Sequence, residues 1–106
     1  MIEIEEGCGN VYADLGGRDA EQMLVKARLA TKINEIIKRK GLTQMQAAEL
    51  LGLPQPKLSG MLRGQFRGIS EAKMISCLNR LGRDVEIVVH KANRSRRAAG
   101  TRVVFA

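Results

Sequence analysis

Thr43-Gln44-Met45-Gln46-Ala47-Ala48-Glu49-Leu50-Leu51-Gly52-Leu53-Pro54-Gln55-Pro56-Lys57-Leu58-Ser59-Gly60-Met61-Leu62-Arg63 spells two short helices joined by a tight turn. Thr43 and Gln46 have the capping-box spacing of a helix start, and Ala47, Ala48, Leu50 and Leu51 form the inner side of that helix. Gly52 stops it. Pro54-Gln55-Pro56 opens the next helix, where proline is tolerated because first-turn amides have no intrahelical acceptor. This second helix runs to about Arg63, and Gly64 closes it. Gln44, Ala48, Gly52, Leu58 and Met61 fall at the spacing of a helix-turn-helix, for steric reasons. Ala48 lies where two helices cross steeply, so a larger side chain would push them apart. Gly52 occupies the turn, where positive φ is easiest without a Cβ. Leu58 and Met61 face inward, leaving Gln55, Lys57, Ser59 and Gly60 outward. A hairpin facing only water would carry Glu–Lys pairs on that surface. Here no acid occurs between Gln55 and Arg67.

A longer helix precedes this unit. Asp19 caps it, Gln22 completes a capping-box spacing, and Glu21 favours the positive end of the dipole. Met23, Ala27, Ala30, Ile33 and Ile37 form one apolar face, and the helix ends in Lys38-Arg39-Lys40 before Gly41. Downstream, Ser70 and Glu71 start a further helix with Met74, Ile75, Leu78 and Leu81 inward and Gly82 as its stop. The period then changes. Val85, Ile87 and Val89 alternate on one face of residues 84–90, a β-branched strand pattern, and residues 101–105 read as a second short strand or a tail. Residues 1–9 have no period, whereas residues 10–17 are turn formers with Val11, Tyr12 and Leu15 as apolar anchors. The expected fold is all-α with a small β appendage. It divides into an N-terminal segment (1–18), a helix-turn-helix domain of four to five helices (19–83), and a C-terminal dimerisation strand with a basic tail (84–106).

At 106 residues the chain has room for one domain. With no Trp, one Tyr and two Phe, its core must come from aliphatic residues, Ala and Met. The net charge is +7, unevenly spread: six acids and one base occupy residues 1–22, and 17 bases face five acids over residues 23–106. A basic body suits a polyanion. Charge alone does not separate DNA from RNA or an anionic membrane, and the acidic head either is solvated or shields the body. No apolar run approaches the roughly 18 residues of a membrane span, and no signal peptide is recognisable. Cys8 and Cys77 form no CxxC pair; Cys77 reads as a buried apolar residue, and both as reduced thiols in a cytoplasm. His90 is alone, so neither a metal site nor a cofactor is expected. No nucleophile–base pair or phosphate loop points to an enzyme.

Residues 42–59 resemble the lambda-repressor-like (Xre) helix-turn-helix family. A narrower resemblance covers nearly the whole chain. Asn10-Val11-Tyr12-Ala13-Asp14-Leu15-Gly16, Gln55-Pro56-Lys57 and Leu81-Gly82-Arg83-Asp84-Val85-Glu86-Ile87-Val88-Val89 look like HigA-type antitoxins. That resemblance implies a homodimer that represses its own operon on double-stranded operator DNA and neutralises a RelE-like ribonuclease toxin. The alternative is a stand-alone or phage-type regulator with no toxin partner. By position, the resemblance assigns base contacts to Gln55, Pro56, Ser59 and Gly60. A Gln amide matches adenine N6 and N7, Pro56 offers apolar contact to a thymine methyl, and Ser59 donates or accepts at a base edge. Gly60 departs from the larger polar residue common in the family there. Thr43, Gln44, Lys57, Arg63 and Arg67 are assigned to phosphates. Val85, Ile87, Val88 and Val89 are assigned to dimerisation, through an antiparallel strand pair between subunits or beside a hairpin with residues 101–105 of the same chain. Arg94, Arg96 and Arg97 either follow a phosphate backbone or keep a tail soluble.

Overall fold

The computed structural model describes residues 17–91 and 100–106. The expectations for residues 1–16 (Cys8, and the anchors Val11, Tyr12 and Leu15) and for Arg94, Arg96 and Arg97 lie outside the described residues. Four α-helices appear: α1 (Gly17–Arg39), α2 (Gln44–Leu51), α3 (Gln55–Leu62) and α4 (Glu71–Arg80). The chain divides into two compact units, residues 26–85 and residues 1–25 with 86–106.

Helix α1 starts at Gly17, so Asp19 stands inside its first turn rather than at the cap, where its charge still complements the dipole. In the unit of residues 26–85, α1 contributes Leu29, Ala30, Ile33, Ile36 and Ile37 to a core completed by Ala47, Ala48, Leu51, Leu58, Met61, Met74, Cys77, Leu78 and Leu81. Burying each aliphatic side chain of this kind contributes about 1.5–3 kcal/mol against exposure. Helix α2 packs on α3 and α4. Ala48 is buried at the α2 crossing as its methyl-sized side chain requires. Leu50, expected inside, is 43% exposed. The α2 stripe is only as wide as Ala47, Ala48 and Leu51, and position 50 falls beyond its edge. Ile75 is only half-buried, its inward place on α4 being taken by Cys77.

Local chemistry sets the ends of the helices. Thr43 Oγ1 accepts from Gln46 N–H at 3.1 Å while Gln46 Oε1 accepts from Thr43 N–H at 2.9 Å, so the capping box is complete. Ser70 caps α4 by accepting from Lys73 N–H. Gly52 ends α2 at φ 70°, ψ 32°, its N–H returning to the carbonyls of Ala48 and Glu49. A non-glycine residue is strained in that left-handed region. Cations also cap this end: Arg80 Nη1 on α4 donates to the Leu50 carbonyl at 3.2 Å. Lys26 is buried on α1 and donates from Nζ to the Arg67 carbonyl at 3.0 Å, fixing the loop after α3.

The β appendage is not formed. Among the described residues there is no strand, and residues 83–91 and 100–106 carry neither helix nor sheet. The sequence alternation encodes a propensity, whereas a strand exists only when a neighbour completes its hydrogen-bond ladder. The hairpin with residues 101–105 does not supply that neighbour: within its own unit, Thr101 N–H donates instead to Glu21 Oε2 on α1 at 2.8 Å. Exposure does not alternate either, with Val85 at 36%, Ile87 at 77%, Val88 at 70% and Val89 at 90%. Over the described residues the fold is all-helical.

Candidate nucleic-acid interface

The turn of residues 52–54 brings the N-terminal ends of α2 and α3 together. Gln44 is the first residue of α2 and Gln55 the first of α3. Their amides meet, Gln55 Nε2 donating to Gln44 Oε1 at 3.1 Å. Both side chains are exposed, so the pair is an ordered polar feature on the surface rather than a buried network. Because this bond uses one Gln55 N–H, a second N–H and the Oε1 acceptor remain available.

Pro54 is the cap of α3, with Pro56 inside the first turn, so proline costs the helix no hydrogen bond. Leu58 and Met61 are fully buried, which sets the rotation of the helix and leaves Gln55, Pro56 and Lys57 exposed. Ser59 is half-buried, and its Oγ accepts from Arg63 Nη1 at 3.1 Å, joining two expected contact residues one turn apart. Arg67 is exposed in the following loop, its backbone held by Lys26. Thr43 is exposed and committed to its capping box. Met45, also exposed, adds an apolar side chain next to Gln44.

Gly60 differs from the outward position expected of it. It is buried, although its place on α3 lies on the same side as Pro56 and Arg63. The cover is Gln65. A Cβ at residue 60 would stand 3.1 Å from Gln65 Oε1 and 3.7 Å from Gln65 Cβ. The chain returns there because α3 ends in a Schellman motif: Gln65 N–H donates to the Gly60 carbonyl at 2.8 Å and Gly64 N–H to the Met61 carbonyl at 3.1 Å, with Gly64 at φ 98°.

Lys26 and Gln65 are the two residues that sequence reasoning missed. Lys26 lies three residues after Met23 and four before Ala30, on the apolar stripe of α1, and that register was a usable signal for burial. Gln65 follows Gly64, the expected helix stop, and a C-cap glycine turns the next residue back over the last turn. Val85, Ile87, Val88 and Val89, expected to serve dimerisation, are exposed apolar side chains.

The unit of residues 26–85 carries cations on every described helix but α2, and α3 has no acidic residue. Glu35 on α1 is held below its ordinary carboxylate range by a hydrogen bond and charge from Lys32, with Arg39 adding to it. In solvent such pairs contribute little to stability. Among the described residues no group of three His, Cys, Asp or Glu side chains converges on a metal position, and no helix is long and apolar enough to cross a membrane.

A helix-turn-helix domain family matches residues 11–90. Comparison with curated proteins finds no match. A solved structure described as an XRE family transcriptional regulator is similar at 44% identity and a TM-score of 0.77, over 83% of this chain and 99% of that one. The exposed amide pair at the α2–α3 corner, the acid-free α3 and these two similarities agree. The chain belongs to the Xre family of DNA-binding helix-turn-helix transcriptional regulators.

Proposed function

We propose that the chain is a dimeric repressor that lays α3 in the major groove of its operator and is the antitoxin of a toxin–antitoxin pair. The observation that carries the DNA reading is the Gln44–Gln55 amide pair. With Gln44 holding its rotamer, Gln55 offers a donor and an acceptor to adenine N7 and N6, the bidentate match of an amide. Gln44 keeps its own Nε2 for a phosphate, beside the first-turn amides of α2. Ser59 accepts from Arg63, which leaves its hydroxyl proton available as a donor to guanine O6 or N7, adenine N7 or thymine O4. Pro56 lies against a thymine methyl, and Gly60, assigned to a base by position, is covered by Gln65. Lys57, Arg63 and Arg67 meet phosphates. Arg63 thereby orients Ser59 as well as adding charge.

One such unit reads half a site, and two-fold pairing with half-sites one turn apart supplies affinity and specificity. The exposed Val85, Ile87, Val88 and Val89 are the apolar surface available to a second copy. The antitoxin role rests on the resemblance of residues 10–16, 55–57 and 81–89 to HigA-type antitoxins. A RelE-like ribonuclease would be the partner neutralised.

The test of the DNA reading is a Gln55→Ala, Lys57→Ala double variant assayed on the duplex that the parent selects from a random pool. The variant should lose both preference and affinity, with a helical circular-dichroism spectrum unchanged. Parental binding by a folded double variant refutes the proposal. The antitoxin role is tested separately by co-expression with a RelE-like ribonuclease toxin. Co-purification and relief of growth arrest are expected; continued arrest overturns it.

A further inference from the structure

We infer that Gln65, which lies outside α3, is a specificity-determining residue that takes the place left empty by Gly60 and reads a base edge from the loop. The inference rests on the reading of α3 as the groove-inserted helix. Helix α3 turns Gly60 toward the same side as Pro56 and Arg63 yet gives it no side chain. Gln65 Oε1 stands 3.1 Å from the position a Cβ would occupy there, so an amide from five residues downstream occupies the place a helix side chain would fill.

Two features hold it in place. The Schellman bonds fix the backbone of Gly64 and Gln65 against the last turn of α3. Phe66, the next residue, is buried with 3% of its surface exposed and anchors the loop in the core. Gln65 is therefore fixed at its backbone while its side chain stays exposed. Among the described residues its amide has no hydrogen-bond partner, in contrast to Gln55, which is tied to Gln44. An amide free to present both donor and acceptor fits adenine N6 and N7. Five residues along a helix rise about 7.5 Å. This places the base read by Gln65 roughly two base pairs, at about 3.4 Å each, from the one read by Gln55.

The experiment measures binding of the full chain to its selected duplex and to every single-base-pair variant of that duplex, for the parent, Gln65→Ala, Gln65→Glu and Gln55→Ala. Gln65→Ala is expected to lose discrimination of roughly 5- to 150-fold at one base pair and to leave the other positions unchanged, the fold-change of a lost bidentate contact. Gln65→Glu should move the preference at that position toward cytosine, whose N4 donates to a carboxylate. Gln55→Ala should flatten a different position. Uniform weakening on every duplex by Gln65→Ala would make Gln65 a structural or phosphate-side residue, and parental discrimination would make it a bystander; either overturns the inference while a flattened Gln55 position leaves the α3 reading standing. If Gln55→Ala also discriminates like the parent, the α3 reading fails and the role of Gln65 falls with it.

Discussion

Replacing Gly60 with Ala should stabilise the protein while disturbing what it reads. Gly60 is helical and is absent from the residues with positive φ, so alanine meets no backbone penalty there. In a helix interior alanine is favoured over glycine by about 0.8–1.0 kcal/mol, through the backbone entropy glycine loses on folding. The opposing effect is steric: the new Cβ would lie 3.1 Å from Gln65 Oε1, and the nearest backbone atom, the Gln65 carbonyl, is 4.0 Å away. The crowded atom is the tip of an exposed flexible side chain, which retreats by a few tenths of an ångström at little cost. The net gain should therefore approach about 1 kcal/mol, worth about 4–8 °C in the melting temperature of a domain this small. Thermal unfolding followed by circular dichroism measures it. The double variant Gly60→Ala, Gln65→Ala should gain at least as much, and the coupling between the two sites measures how far the amide was displaced. A melting temperature below the parent's would show that the loop cannot give way and that its geometry here is wrong. In the duplex panel, Gly60→Ala should weaken discrimination at the Gln65 position and leave that at the Gln55 position intact.

Gly52→Ala should act in the opposite direction and cost about 1–2 kcal/mol, because φ 70° forces an L residue into the left-handed region and its Cβ would crowd Arg80 Nη1 at 3.2 Å; unchanged urea unfolding would refute this. Cys77 has its thiol pKa pushed above the ordinary 9.0 by burial, with Lys73 and Arg80 pulling weakly the other way. The folded state thus holds the thiol proton more tightly than the unfolded chain, so this contribution to stability is complete below that ordinary value and is lost as pH rises toward the folded one. The unfolding free energy of the parent should fall more steeply from about pH 9 to 10 than that of Cys77→Ala, whereas parallel slopes would exclude the effect.

The helix boundaries were legible because the signals that set them are local. Thr43 with Gln46, Ser70 as a cap, Pro56 in a first turn and Gly52 at a left-handed C-cap each act within a few residues. Asp19 misled by two residues, since an acidic residue in the first turn and one at the cap satisfy the same dipole. The strand expected at residues 84–90 failed for the opposite reason. Val85, Ile87 and Val89 supply propensity and period, but a ladder is a property of two segments, and within its own unit the Thr101 amide is committed to Glu21. No pattern confined to one segment discloses that competition.

The candidate surface shows the same division at finer scale. Helical period alone identifies Gln55, Lys57 and Ser59 as the outer side of α3 once Leu58 and Met61 are placed inside, although Ser59 is half-buried. It fails at Gly60, where a following turn folds another residue onto the helix. The outer surface here is therefore formed not by α3 alone but by α3 together with the residue its C-cap returns. A glycine on that face is better understood as a vacancy for a neighbour than as a missing contact. By this reasoning the side chain at position 65, rather than at position 60, should vary with operator preference when the two are exchanged among otherwise identical variants. A preference that follows residue 60 in such exchanges, with Gln65 constant, would return the reading role to the helix.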